Sequence, residues 1–145
     1  MSPGGVASAL ANDGSKITLT GSGTFERGED ASGGGTWKTF SLAGVLTGSG
    51  TYKVTGFVSF ALAPGTLSGI VDLIGNLADA RAGLAILRIS YSDGSKGVLA
   101  ISCNLDGTPD SVFEGITASK GFTDYWNRVA PVDGVNANRT VFHVQ

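Results

Sequence analysis

A single cysteine, Cys103, and a single histidine, His143, stand in a chain of 145 residues. One cysteine excludes an intramolecular disulfide and leaves the redox compartment open. The pair is too small for a Cys/His zinc site within one chain, so no metal is expected. A Ser-His-Asp triad would have to use His143, and nothing else in the chain points to one. Charge is scarce as well. Asp, Glu, Lys and Arg make up 15% of the residues, with a net charge of −2, against a usual share of roughly 25%. With no basic surplus to neutralise phosphates, a nucleic-acid partner is not expected. No apolar run approaches the ~20 residues that a membrane-spanning helix needs, so no membrane partner is expected either. The opening residues lack a basic stretch followed by an apolar one, so no signal peptide is read. The chain should be soluble, and a secreted location would require a leader already removed. Phosphate-binding loops, a dinucleotide glycine triad and a Gly-x-Ser-x-Gly elbow are all missing, and no cofactor is expected.

What is present is glycine, at 23 residues, and an apolar share of 41%. The length suits one domain, 1–145, with a full core of its own. Residues 1–15 are expected to be a flexible N-terminus. Leu19-Thr20-Gly21-Ser22-Gly23-Thr24-Phe25 returns as Leu46-Thr47-Gly48-Ser49-Gly50-Thr51-Tyr52, with Gly34-Gly35-Thr36-Trp37 between them. Gly-Thr-aromatic therefore ends at Phe25, Trp37 and Tyr52. Thr and aromatic residues favour strands, and the glycines mark turns, bulges or close strand approach. The reading is three consecutive meander strands.

Asp13-Gly14-Ser15-Lys16 is matched by Asp93-Gly94-Ser95-Lys96. The second is flanked by Leu84–Tyr91 and Gly97–Cys103, both apolar on two faces. Asp-Gly tolerates positive φ, so this is a hairpin at the centre of the core. Further strands are expected at Lys16–Glu26, Gly35–Leu42, Gly50–Ala61, Val112–Asn127 and Arg139–Val144. Ile70, Leu73, Ile74 and Leu77 recur at helical spacing, which predicts one short helix near Leu67–Ala78. The fold class is all-β: a single small antiparallel β-barrel, meander-like, with that one helix.

Candidate site residues come from Val112–Asn127 read with period two. One face carries Glu114, Ile116, Ala118, Lys120, Phe122, Asp124 and Trp126. If it points inward, Glu114, Asp124 and Lys120 enter an interior lined by Phe122 and Trp126. Buried charges are costly unless paired or functional. Glu114 or Asp124 would serve as acid or base, and Lys120 or Arg88 would steady negative charge. Arg88, Phe122 and Trp126 are the expected ligand-binding residues. The competing expectation is a bend near Ser119–Gly121 that swaps faces and leaves Lys120 and Asp124 at a rim. Cys103, alternating with Leu99 and Ile101, reads as a buried structural residue.

The stretches Thr20–Glu26, Gly35–Trp37 and Gly48–Tyr52 resemble strands of small antiparallel barrels, in character the calycin-like set and the allene oxide cyclase and dirigent group. The resemblance implies an apolar cavity binding a small hydrophobic molecule, sometimes with isomerase or cyclase chemistry. It is general to barrels and carries no family's site residues onto this chain. The alternative is a structural or self-assembling β protein, a homo-oligomer without catalytic activity, which low charge and many strands would suit.

Overall fold

A computed structural model describes residues 6–25, 31–65, 80–129, 140 and 142–143. In it the two Asp-Gly-Ser-Lys segments form the same turn. Ala11 and Tyr91 each donate their N–H to the carbonyl four residues on, at 2.8 Å. Gly14 and Gly94 donate back to the first carbonyl at 3.0 Å, with φ of 83° and 92°. This is a type I turn closed by one left-handed residue, which only glycine adopts without strain. Asp13 and Asp93 lock it: each accepts from the N–H and the hydroxyl of the serine two residues on, at 2.6–3.0 Å. Ser41–Val45 makes the same turn around Gly44, whose φ is 84°.

These turns join an antiparallel meander. The strands are β1 (Ala7–Leu10), β2 (Lys16–Leu19), β3 (Ser22–Phe25), β4 (Ala31–Phe40), β5 (Leu46–Ala63), β6 (Ala80–Tyr91), β7 (Lys96–Cys103), β8 (Gly115–Lys120), β9 (Thr123–Tyr125), β10 (Asn127–Arg128) and β11 (Phe142–His143). The sheet runs β10-β1-β2-β4-β5-β6-β7-β8-β9. β1 and β10 come back against β8, so the barrel nearly closes. β2 and β3 keep one register along β4, Leu19 opposite Trp37 and Ser22 opposite Gly34. They are one line of chain, as expected for Lys16–Glu26 up to Phe25. β11 pairs β6 at Phe142 and Arg81, beyond the point where β7 ends opposite Gly83. Among the described residues there is no helix. The segment expected to be helical, Leu67–Ala78, lies outside them.

Antiparallel connectivity sorts the connections to two ends. The turns β1/β2, β4/β5, β6/β7 and β8/β9 lie at one, called the turn end. β3, the C-terminal part of β5, the start of β6, the end of β7 and β11 lie at the other. The core of the turn-end half is Ala7, Ala9, Ile17, Leu19, Ile89, Leu99, Ile116 and Ala118, with Trp37, Tyr52, Tyr91 and Tyr125 above them. Each fully buried Ile or Leu there contributes about 1.5–3 kcal/mol. A smaller cluster, Ala85, Cys103 and Phe142, fills the opposite end together with Phe25, Phe60, Ile101 and Leu105.

Two expectations change. The N-terminal segment expected to be flexible supplies β1, with Ala7 and Ala9 wholly buried. Small alternating residues let β1 lie close against β8. The long strand Val112–Asn127 is three short ones. It starts only at Gly115, reverses in a two-residue turn at Gly121 and Phe122, and pairs Lys120 with Thr123.

Candidate functional site

That reversal decides where the candidate residues go. Up to the turn, the even positions face inward, as expected: Ile116 and Ala118 are buried and Lys120 is mostly covered. After it, Ala118 stands opposite Tyr125, so the inward phase moves to odd numbers. Phe122 becomes the tip of the turn and is 99% exposed. Asp124 is exposed on the outer side. Trp126, between β9 and β10, is 49% exposed. The single interior face that would have gathered Glu114, Lys120, Asp124, Phe122 and Trp126 does not form. Arg88 is also outside. It is exposed between buried Leu87 and Ile89, and its guanidinium lies along Gly56 and reaches the Phe57 carbonyl at 3.5 Å. Both faces of β6 are apolar, so the pattern alone could not say which was interior.

Lys120 and Glu114 stay inward, but at opposite ends. The Lys120 ammonium caps the aromatic plug of the turn end. It sits 4.4 Å from the Trp37 ring centroid and 5.2 Å from that of Tyr91, and it is ion-paired to Asp93 of the β6/β7 turn. The rings below are tied to the backbone. Tyr52 donates to the Thr20 carbonyl at 2.7 Å and Tyr91 to the Ser119 carbonyl at 2.8 Å. The Trp37 indole N–H reaches the Ser92 hydroxyl at 3.4 Å. Burial pushes the Tyr52 hydroxyl up to about 12. It also raises Tyr91, with Tyr125, Tyr52 and Asp93 adding to the effect. Asp93 is held down at about 2, first by Lys120 and then by Ser95. The polar groups of Trp37, Tyr52, Tyr91 and Lys120 are thus all engaged by other parts of the chain.

The opposite end is built differently. Phe25 meets Phe57 at 5.5 Å and Phe60 at 5.2 Å, and Phe142 stands edge-on to Phe60 at 5.1 Å. Phe57 and Phe60 are three residues apart, yet both face inward, opposite Leu87 and Ala85. Register shifts at Val54/Gly56 and at Phe57/Ser59 make this possible. Each inserts one residue, bends the strand and resets the alternation. Phe25, Phe57 and Phe60 remain half-buried. Leu62, opposite Gly83 in the same register, is 52% exposed.

Linked to these rings through Cys103 and Phe142 lies a polar network. Thr140 N–H donates to Glu114 Oε1 at 2.8 Å. The Thr140 hydroxyl sits between that same carboxyl oxygen, at 2.6 Å, and the Ser102 carbonyl. The Cys103 thiol donates to the Thr140 carbonyl at 3.2 Å. Burial, with the nearby Glu114 charge adding, pushes the Cys103 thiol up to about 12, so it stays protonated. An unreactive, buried thiol is what the alternation of β7 predicts. Thr140 organises the group through N–H, hydroxyl and carbonyl. No local signal marks it, because its partners lie far away in the chain.

Among the described residues, no three His, Cys, Asp or Glu side chains gather as metal ligands. Of the candidates, Glu114 alone joins, through Thr140, the network of Cys103, which packs in the phenylalanine-end cluster. Comparison with known proteins returns no matching family model, no matching curated protein and no matching solved structure. What the structure supports of the expected resemblance is the antiparallel, nearly closed barrel itself.

Proposed function

We propose that the barrel binds a small, largely apolar molecule at its phenylalanine end, with Glu114 as the polar contact of the site. The observation that carries this is the half-buried set Phe25, Phe57 and Phe60, continued by exposed Leu62, on the inward side of a doubly bulged strand. Apolar side chains converging on one carboxyl group are the usual make-up of a small-molecule site. The turn-end half offers no such place, since aliphatic side chains, four aromatic rings and Lys120 occupy it. Small barrels in general bind ligands inside one mouth, an analogy of fold that raises the reading without carrying it.

Isomerase or cyclase chemistry in this site would rest on Glu114 as acid or base. Lys120, Asp124 and Arg88 stand elsewhere and have no part in it. The test is a calorimetric titration against medium-chain carboxylic acids, the corresponding alcohols and polyketide-like ring compounds. Phe60→Ser should weaken binding by about tenfold or more, a loss of about 1.4 kcal/mol. Asp124→Asn should leave it unchanged. Glu114→Gln should shift the preference between acid and alcohol. No binding by any compound, or equal binding by Phe60→Ser, would end this reading.

A further inference from the structure

None of the chain's 12 acidic residues stands in strands β1–β7, which carry Lys16, Lys38, Lys53, Arg81, Arg88 and Lys96. The described acids lie elsewhere. Asp13 and Asp93 sit in turns, bound by Ser15 and Ser95, and Asp93 also by Lys120. Asp106, Asp110 and Glu114 lie between β7 and β8, and Asp124 on β9. Of the cations, Lys16 lies over the Phe40 ring at 4.9 Å, Arg88 runs along Gly56, and Arg81 pairs with β11 at the far end. Arg128 on β10 stands 5.4 Å from the Phe113 ring. Lys38, Lys53 and Lys96 are exposed, and among the described residues no acid pairs with them. Lysine on an edge strand guards against sheet extension. That role does not account for these three, because β4, β5 and β7 each have a neighbour on both sides.

The register sets these lysines around a row of hydroxyl groups. Thr20, Thr36 and Thr51 alternate with buried Leu19, Trp37 and Tyr52, so all three point outward. The Thr20 and Thr36 hydroxyls meet at 2.7 Å, and Thr36 stands opposite Thr51. Lys38 belongs to the next outward row on one side, between Thr18 and Ser49. Lys53 and Lys96 belong to the next outward row on the other, with Ser90 between them. At ~3.3 Å per residue the two lysine rows lie about 13 Å apart, and at ~4.8 Å per strand Lys53 and Lys96 lie about 10 Å apart. We propose that this strip binds an acidic polysaccharide laid across the strands, its hydroxyls on the threonines and its anionic groups on the lysines at either side. Charge complementarity selects an anion. Cations so widely spaced suit charges separated by whole sugar rings. DNA carries a charge every ~1.7 Å of its axis and calls for a denser patch. Single strands need aromatic rings for their bases, and among the described residues none stands in the strip. An acidic peptide needs a free strand edge or side-chain pockets, and β4 and β5 are paired on both sides here.

The experiment is biolayer interferometry on immobilised polygalacturonate, dextran sulfate, neutral dextran, oligothymidylate and polyglutamate. The proteins are the unsubstituted chain, Lys38→Gln/Lys53→Gln and Thr51→Val. All three positions are exposed, so the variants should keep their circular dichroism and melting temperature. The proposal requires binding to at least one of the two acidic polysaccharides, weakening as salt is raised, and none to neutral dextran. The lysine variant should bind at least tenfold more weakly. Thr51→Val keeps every charge and should bind about two- to tenfold more weakly, the worth of one hydrogen bond. Absence of binding to both acidic polysaccharides overturns the proposal, as does undiminished binding by the lysine variant. Undiminished binding by Thr51→Val overturns it too, leaving a contact of charge alone. Oligothymidylate or polyglutamate held as tightly as the polysaccharide overturns it in favour of a nucleic acid or an acidic peptide.

Discussion

The two ends of this barrel are closed by different means. At the turn end, Trp37, Tyr52 and Tyr91 bind their polar atoms to backbone or side-chain partners and Lys120 seals them with Asp93. At the other end, four phenylalanines meet edge to face and stacked, three of them half-covered, around a network centred on Thr140. The first arrangement spends its groups on itself. The second leaves apolar surface available beside a carboxyl group. The difference lies in burial pattern rather than in the presence of charged side chains, since each end holds one inward ionisable residue.

The comparison can be broken by stability measurements. Trp37→Ala should cost about 3–5 kcal/mol, because a fully buried ring leaves a cavity that its neighbours cannot fill. Phe60→Ala should cost less, about 1–3 kcal/mol, since its ring is only partly buried. Urea unfolding of both variants would reveal the order, and equal losses would mean that the two ends are packed alike. Thr140→Val should cost about 1–3 kcal/mol, because the one hydroxyl proton shared by the buried Ser102 carbonyl and Glu114 is lost, while the N–H bond to Glu114 stays. Thermal melting of this variant beside Thr140→Ser, which keeps the hydroxyl, separates the hydrogen bonds from packing.

Alkali should reach the phenylalanine end first. Cys103 is raised from 9.0 to about 12 and Tyr52 from 10.0 to about 12. A raised folded value means stability that is whole below the unfolded value and is lost as pH rises towards the folded one. The decline should therefore begin near pH 9 through Cys103 and steepen near pH 10 through the tyrosines. Cys103→Ala should remove the first part, measured by unfolding at stepped pH. The smallest effect belongs to the seal. Lys120→Met should cost about 1 kcal/mol or less, since its partner Asp93 is largely in water and methionine keeps an apolar stem over the rings. Asp93 is lowered to about 2, so its contribution is present above the usual carboxylate value and is lost only as pH falls through about 2. Its exposure keeps that loss slight, and an acid titration of Lys120→Met should lack it.

Much of the architecture was legible. Asp93-Gly94 and Asp13-Gly14 announce hairpins because an Asp and a glycine at those positions meet the needs of one turn. The Gly-Thr-aromatic segments fall on strands as the pattern suggests. Trp37 and Tyr52 join the plug, whereas Phe25 serves the opposite end, beyond the continuous run of β2 and β3. The site was less legible, for local reasons. A two-residue turn at Gly121-Phe122 resets the alternation, so a face counted through it is false from Phe122 onward. The two bulges in β5 put Phe57 and Phe60 together against the period of two. Thr140 reaches Glu114 from 26 residues away and Cys103 from 37, which no spacing rule anticipates.

The most direct measurement places a reporter in the phenylalanine end itself. In Phe60→Trp, with Trp126→Phe to remove the exposed indole, two tryptophans remain, one at each end. Titration with a brominated medium-chain fatty acid, a short-range quencher, should reduce the emission of residue 60 saturably. The same titration of Trp126→Phe alone, which reports only Trp37 under Lys120, should leave the emission unchanged. Quenching of Trp37 to the same extent, or no saturable quenching at residue 60, would contradict an open apolar end opposite a sealed one.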